Sequence, residues 1–347
     1  MSEVHIRIDG AAGRITLSCP ERLNALRHDM CLAIAAALRD WQHDDKVALV
    51  LIDGAGERGF CAGGDLKSLY EAARAGDPGV ARQFWRDEYR LNLMLAEFPK
   101  PVVALMHGLT MGGGVGLGCH GSHRVVGASS RLATPQTRIG LVPDAGGSLL
   151  LAQAPGHLGE YLALTAGTMG PGDAIHAGFA DFFLPEDRWP DLVRRLTGGT
   201  VSAVADMAAE APAGDLAPER GWIDSAFAAP DLRGILAALD AMEFDAPQAA
   251  AAALRRHSPL SMAAALVMLR NLRSGGGLET ALAQEFRFGY RAPLVGDVLE
   301  GIRARLIDRD DAPVWRHETP GQVTGREVSD MLAPLGDEEL QLDGPTR

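Results

Sequence analysis

Two glycine-rich stretches of the sequence are the main evidence for its fold: FCAGGD at residues 60–65 and HGLTMGGGVGLG at residues 107–118. Each follows an apolar segment, Val47–Asp53 in the first case and Pro101–Met106 in the second. Glycine has no Cβ, so a ligand can approach its backbone closely, and a positive φ is freely accessible to it. Two such loops that meet in space can aim two backbone N–H groups at one oxygen atom, which is the geometry of an oxyanion hole.

Predicted strands and helices alternate from the N-terminus to about Pro185. A strand over Arg14–Leu17 precedes a helix over Leu26–Trp41, and the continuous apolar strands that follow are typical of strands buried on both faces. This alternation predicts an α/β fold with a mainly parallel sheet covered by helices. The Ala-, Pro- and Gly-rich stretch Thr200–Glu219 is interpreted as a loosely packed connection to a helical C-terminal region, whose ordered part is predicted to close at Trp315.

The composition of the 347 residues is ordinary for a globular protein, with 47% hydrophobic and 22% charged residues. The start lacks the basic and apolar regions of a signal peptide, and no apolar run approaches the roughly 18 residues of a membrane span. Four scattered cysteines show no zinc-like spacing, which predicts reduced thiols in a cytoplasmic protein without a metal. The net charge of −12 disfavours non-specific nucleic-acid binding but leaves room for an anionic ligand on a local basic cluster.

A third segment, PQTRIGLVPDAGG at residues 135–147, places a carboxylate just before a Gly-Gly pair. From the residues alone, Asp144 has a plain interpretation as the N-cap of a helix predicted over Gly146–Gln153, since Asp is a preferred capping residue. The glycines at 116, 118 and 121 match the G-x-G-x-x-G spacing of dinucleotide sites. We reject that interpretation because these glycines fall inside the predicted helix instead of opening it.

The two glycine-rich segments resemble, nearly letter for letter, two signatures of the enoyl-CoA hydratase/isomerase (crotonase) superfamily, and the third segment resembles its third signature. The resemblance covers essentially the whole chain and is closest to the 3-hydroxyisobutyryl-CoA hydrolase branch, of which RDEYRLN at 86–92 and EGIRA at 300–304 are typical. It implies a spiral of ββα units with C-terminal helices over the pocket. The implied division is a crotonase-like α/β core with the active site at residues 1–199, then a linker and C-terminal helical region at 200–347.

The resemblance also implies a role for individual residues. The backbone N–H groups of Gly64 and Gly113 would form the oxyanion hole, Asp144 would be the acid/base, and Glu88 would help to bind an acyl hydroxyl. The other positions that it implies are Ala62, Gly63, Asp65 and Gly112 for the substrate, Arg22 and Arg27 for the coenzyme A phosphates, and Trp85, Tyr89 and Phe286 for the pocket shape. It implies no metal or redox cofactor, because coenzyme A arrives as part of the substrate, and it points to valine catabolism.

The chain departs from the family pattern at three positions. Where the hydrolases carry glutamate it has Gln136, and an amide cannot take up a proton at neutral pH. Hydratases carry a second glutamate two residues past the glycine triplet, where this chain has Gly116, so two-carboxylate addition of water to a double bond is disfavoured. The lysine that often follows an early proline is replaced by Glu21, so Arg22 or Arg27 would have to meet the phosphates.

Three hypotheses follow for the function. The first is hydrolysis of a short 3-hydroxyacyl-CoA, slowed by Gln136 because a general acid–base group typically contributes about 10²–10⁴-fold. The second is an enoyl-CoA isomerase with Asp144 as its sole acid/base, and the third is a non-catalytic acyl-CoA-binding protein. Gln136 is either an introduced substitution, a residue that leaves the proton chemistry to Asp144, or a sign of a changed or lost reaction. The resemblance implies a homo-oligomer, a trimer or a hexamer, with no membrane or nucleic-acid partner.

Overall fold

Two mainly parallel sheets form the centre of the computed structural model, which describes residues 3–342. The larger sheet contains β1 (Val4–Asp9), β2 (Ala12–Leu17), β3 (Leu49–Gly54), β5 (Val102–Met106), β7 (His123–Val126) and β10 (Phe182–Phe183). The smaller sheet contains β4 (Gly59–Cys61), β6 (Leu109–Met111), β8 (Arg131–Ala133) and β9 (Thr168–Met169). The spatial orders are β1-β2-β3-β5-β7-β10 and β4-β6-β8-β9, and only the β1–β2 and β8–β9 pairs are antiparallel.

The chain repeats one unit around these sheets: a strand of the larger sheet, a strand of the smaller sheet, and then a helix. The helices of this part are α1 (His28–Trp41), α2 (Leu66–Arg74), α3 (Gly79–Ala96), α4 (Gly113–Gly118), α5 (Gly147–Gln153), α6 (Leu158–Thr165), α7 (Pro171–His176) and α8 (Trp189–Thr197). The units β3-β4-α2, β5-β6-α4 and β7-β8-α5 form the predicted ββα spiral, so the predicted fold class is confirmed. Each glycine-rich loop lies between a strand of the smaller sheet and the helix that follows it.

Beyond α8, the described chain contains helices joined by irregular segments and 3-10 turns, and no further named strand. The helices are α9 (Ala203–Met207), α10 (Leu216–Phe227), α11 (Leu232–Asp240), α12 (Asp245–Leu254), α13 (Pro259–Ser274), α14 (Leu278–Val295), α15 (Val298–Ile302) with a π-helical turn at Arg303–Ile307, and α16 (Gly325–Leu332). None of the helices within residues 3–342 combines the length and apolarity that crossing a membrane requires.

Two expectations about the C-terminal region were wrong, the first of them in part. The stretch 200–219 is loose only in part, because Val204 and Met207 on α9 are both buried in the core under α8, whereas residues 208–215 are mostly exposed and form no helix. The ordered part also continues beyond Trp315, since α16 buries Val328 and Met331. A capping box at Thr324 and Glu327, a recognisable sequence signal for a helix start, begins that helix.

The core explains why the apolar strands are continuous. One large cluster of buried side chains extends from Val4 to Leu340 and includes residues on both sides of position 199. A smaller cluster on the other face of the larger sheet joins Leu51 and Val103 to Leu192 of α8. All four cysteines are buried and unpaired, as expected. The division of the chain at residue 199 stays a prediction.

Candidate active site

The two glycine-rich loops lie against each other, backbone to backbone. Gly63 and Gly112 both have positive φ values, +109° and +51°, which glycine adopts without strain. A Cβ on Gly114 would lie 2.2 Å from the carbonyl oxygen of Cys61, closer than any side chain can approach. The N-terminus of α4 can therefore reach the first loop only because glycine occupies this position.

This contact brings the amide nitrogens of Gly64 and Gly113 close together. A Cβ on Gly113 would lie 3.6 Å from the nitrogen of Gly64, and a Cβ on Gly63 would lie 3.7 Å from the nitrogen of Gly113. Neither amide donates a hydrogen bond to a backbone carbonyl within residues 3–342. Both glycines line a cavity of about 280 Å³, and so do Ala62, Gly63 and Gly112. Two free N–H donors thus share one cavity wall.

Three polar side chains face the same cavity. Glu88 comes from α3, Gln136 from the 3-10 turn that it begins, and Asp144 from the segment before α5. The amide Nε2 of Gln136 donates to Oδ1 of Asp144 at 2.7 Å, and the hydroxyl of Tyr89 is also hydrogen-bonded to Asp144. Gln136 is only 4% exposed, and its Oε1 has no hydrogen-bond partner among the described residues.

Asp144 does not cap α5. The N-cap residue is Gly146, with no side-chain capping bond, and the backbone carbonyl of Asp144, not its carboxylate, accepts from Gly147 N at 2.8 Å. The capping interpretation is therefore wrong, and the Asp144 carboxylate lies at the cavity instead. Among the three residues expected to shape the pocket, Trp85 lines the cavity, Tyr89 reaches Asp144, and Phe286 packs behind Tyr89 with ring centroids 6.4 Å apart.

Removal from water changes the proton affinity of these carboxyl groups. It raises the pKa of Asp144 to about 6, although the hydrogen bond from Gln136 holds that pKa down. Burial raises the pKa of Glu88 well above its usual value, and the charges of Asp144 and Glu285 raise it further. Burial therefore favours the protonated form of Glu88, whereas Asp144 exchanges its proton near neutrality, as suits a general base.

Glu285 of α14 is a site residue that sequence reasoning missed. Its carboxylate accepts from Gly146 N at 2.9 Å and from Ser148 N at 3.1 Å, so it ties α14 to the loop that carries Asp144. Burial raises its pKa to about 8. The only sequence signal was an acidic residue on the apolar face of a predicted helix, which does not indicate what the carboxylate binds.

Asn92 of α3 explains why Gly116 has no side chain. A Cβ on Gly116 would lie 2.6 Å from Nδ2 of Asn92 and 2.8 Å from Cβ of Ala145. Asn92 is fully buried, and neither polar atom of its side chain has a partner among the described residues. The space that a second carboxylate at position 116 would require is therefore already filled.

The remaining predicted residues lie in a neighbouring hollow of about 460 Å³. Arg22, Arg27 and Asp65 line it, and Phe84 borders both this hollow and the cavity. Asp65 caps α2 by accepting from Ser68 N, so its carboxylate lies outside the cavity wall. Both arginines already form ion pairs, Arg22 with Glu3 and Arg27 with Asp29.

The raised pKa of Asp144 predicts a pH-dependent stability difference. A carboxyl group whose pKa rises from 3.8 to about 6 on folding binds more protons in the folded state, so its contribution to stability is lost as the pH rises through that interval. We expect Asp144→Asn to gain thermal stability relative to the original chain between about pH 4 and pH 7. Melting curves of both proteins over this range test the prediction, and parallel curves would contradict it.

Substitution at Gly116 should destabilise the fold. Overpacking of a filled site typically costs about 1–3 kcal/mol, so we expect Gly116→Ala to lower the free energy of unfolding by that amount. The matched control is Gly221→Ala in α10, where a Cβ meets nothing within 4 Å and the change should stabilise the helix by about 1 kcal/mol. Urea titrations measure both changes. Equal effects at the two positions would mean that the Asn92 side chain moves aside at little cost in free energy.

The fold and this site define the class to which the protein belongs. A family model described as enoyl-CoA hydratase/isomerase matches residues 12–332, and the chain belongs to that family. Among curated relatives, the mitochondrial 3-hydroxyisobutyryl-CoA hydrolase of Xenopus tropicalis is 36% identical over 96% of this chain and 89% of its own length. The human protein of the same name is 33% identical over 98% of this chain and 90% of its length.

Two solved structures are similar over nearly the whole chain. An enoyl-CoA hydratase from Rhodobacter sphaeroides is 51% identical, with a TM-score of 0.95 over 98% of this chain and 100% of that one. A carnitinyl-CoA dehydratase from Mycobacterium thermoresistibile is 40% identical, with a TM-score of 0.95 over 99% and 100%. These names describe different reactions, so the structural similarity alone does not determine which reaction this chain catalyses.

Proposed function

We propose that this protein hydrolyses the thioester of a short 3-hydroxyacyl-CoA. The observation that carries the proposal is the cavity in which two free amide donors, of Gly64 and Gly113, share a wall with a carboxylate that exchanges its proton near neutral pH. The similarity to 3-hydroxyisobutyryl-CoA hydrolases over nearly the full chain supports the same reaction.

The two amides act as the oxyanion hole in this proposal. When water adds to the thioester carbonyl carbon, negative charge develops on the carbonyl oxygen, and backbone N–H groups fixed in advance stabilise it without reorganisation. Removal of one such donor typically costs about 3–4 kcal/mol in the transition state. Glu88 lies beside Gly113, and burial favours its uncharged form, which limits its repulsion of this oxyanion.

Asp144 accepts the proton of the attacking water. Gln136 donates to one oxygen of that carboxylate, and its own Oε1 is free to accept a hydrogen bond from the same water. The tetrahedral intermediate then expels the coenzyme A thiolate, which takes the proton back from Asp144. The products are the free acid and coenzyme A, and Asp144 returns to its starting state.

The rest of the substrate extends away from this centre. Glu88 binds the acyl hydroxyl, and the pantetheine arm passes Phe84 toward Arg22 and Arg27. The proposal needs neither a metal nor a redox cofactor, because amide dipoles and one proton carrier supply the chemistry. A cytoplasmic location, a place in valine catabolism and assembly as a trimer or hexamer stay predictions; the named vertebrate relatives are mitochondrial.

An enoyl-CoA isomerase is the second candidate, and one observation favours it. Gln136 has no titratable group, whereas Asp144 in the same cavity has a pKa near neutrality and can exchange a proton. A single base can remove a proton from one carbon of an enolate-stabilised substrate and return it to another. Addition of water across a double bond fits less well, since Asn92 and Ala145 occupy the space beside Gly116.

Two assays separate these functions. Hydrolysis of 3-hydroxyisobutyryl-CoA releases a thiol that a chromogenic thiol reagent traps, whereas isomerisation of a 3-enoyl-CoA gives the absorbance of a conjugated thioester without a thiol. We expect the first signal and not the second. Thioester binding by calorimetry without either signal would overturn both enzymatic proposals and favour a binding protein.

A further inference from the structure

Two arginines line the cavity that holds Gln136 and Asp144. Arg138 lies on the same 3-10 turn as Gln136, and Arg305 belongs to the π-helical turn after α15. The Arg138 side chain forms no hydrogen bond or ion pair of standard geometry within residues 3–342, although it is only partly exposed. A guanidinium group without an acceptor, on the wall of a substrate cavity, is available to bind an anion of the substrate.

The surroundings of Arg138 are also positively charged. Arg305 separates the cavity from a second hollow of about 420 Å³, which Arg255 and Arg256 line together with Asp311 and Glu318. Arg255 is neutralised by Asp240 at 2.6 Å, and Asp311 pairs with Arg305 at 2.8 Å, but the buried Nε of Arg305 has no partner in the described part of the chain. Burial lowers the pKa of Arg138, and the charges of Arg305 and Arg256 lower it further, while Asp311 opposes them.

Such an arrangement is unfavourable in the empty protein and becomes favourable when an anion binds. Guanidinium groups present planar, bidentate donors that match carboxylate and phosphate oxygens, and charge-assisted bonds of this kind are among the strongest in proteins. Unlike Glu88 and the glycine amides, these guanidinium groups carry the full positive charge that would neutralise an anion in the cavity.

We propose that Arg138 and Arg305 form an anion subsite of the acyl-CoA cavity. This inference rests on the proposed function to the extent that the ligand is an acyl-CoA. The anion is either a carboxylate on the acyl group or a phosphate of coenzyme A. The carboxylate is favoured by position, since Arg138 is two residues from Gln136, whereas Arg22 and Arg27 offer a separate hollow to the phosphates.

Calorimetric binding of three probes to the full chain tests the subsite. Butyryl-CoA and succinyl-CoA have the same four-carbon acyl length and differ by one terminal carboxylate, and free coenzyme A carries the phosphates alone. We expect the original protein to bind succinyl-CoA more tightly than butyryl-CoA by about tenfold or more. Arg138→Met should abolish that preference and leave the affinity for butyryl-CoA and coenzyme A unchanged.

The other outcomes are equally informative. An equal loss of affinity for all three probes in Arg138→Met would support the subsite and assign it to a phosphate. No preference in the original protein, together with no change in the variant, would overturn it. Arg305→Met is the second variant, and Arg233→Met, an exposed arginine that lines a different hollow, is the matched control.

Stability and activity are measured separately. Because Arg138 has no partner to lose, Arg138→Met should melt no lower than the original chain. Binding selectivity does not require turnover, so an absence of thiol release would contradict the proposed hydrolysis without affecting this test. An absence of binding for every probe would overturn both proposals.

Discussion

Gln136→Glu should raise the rate of thioester hydrolysis by about 10²–10⁴-fold, the usual contribution of a general acid–base group. The side chain already lies in the cavity, 2.7 Å from Oδ1 of Asp144, so the new carboxylate needs no rearrangement to reach the reacting atoms. Release of thiol from 3-hydroxyisobutyryl-CoA, followed with a thiol reagent under saturating substrate, measures the change.

Both the rate and the stability of the Gln136→Glu variant should depend on pH. Two carboxyl groups at this separation cannot both ionise easily, so they share one proton and titrate as a pair. The variant should therefore lose stability more steeply than the original chain as the pH rises, because Glu88 and Glu285 already crowd the site with acidic groups. A shift in the pH–rate profile without this stability change would show that position 136 is more open to water than its 4% exposure indicates.

Two controls make the result specific. Gln153→Glu adds the same carboxylate at an exposed position on α5 and should not change the rate. Gln136→Leu removes the amide without adding a base and should not raise the rate. An unchanged rate in Gln136→Glu would show that residue 136 takes no part in the reaction. The proton transfer would then have to be assigned to Asp144 without it.

Asp144→Asn should reduce turnover by about 10²–10⁴-fold while leaving substrate binding nearly intact. The asparagine oxygen can still accept from Gln136 and Tyr89, so the cavity keeps its shape and only the proton acceptor is lost. In the original protein, the rate should rise with pH through about 6, as the pKa of Asp144 requires of a general base.

The comparison needs both kcat and the affinity for the thioester. Asp187→Asn, an exposed carboxylate near α8, is the matched control and should change neither quantity. A variant that loses affinity and kcat together would indicate that Asp144 holds the substrate instead of moving a proton. A variant with full activity would exclude Asp144 from both the hydrolase and the isomerase proposals.

The main features of the fold and of the site loops could be predicted from the sequence. Continuous apolar strands such as Val102–Met106 indicate a buried parallel sheet wherever they occur, and glycines such as Gly63 and Gly112 report backbone conformations that other residues adopt only with strain. The predictions failed where the signal was weak: α9 and α16 are short, and their buried faces consist of only a few residues each.

Local pattern by itself determined where backbone amides could be displayed, because the absence of a Cβ is a property of one residue. Only the tertiary structure decided what meets those amides. Asn92 fills the space beside Gly116, Glu285 anchors the loop after Asp144 from 139 positions away, and Arg305 approaches Arg138. Each of these pairs joins side chains from distant segments that pack together in the folded chain. The pKa of Asp144 is raised by the same burial, and a local sequence pattern does not encode burial.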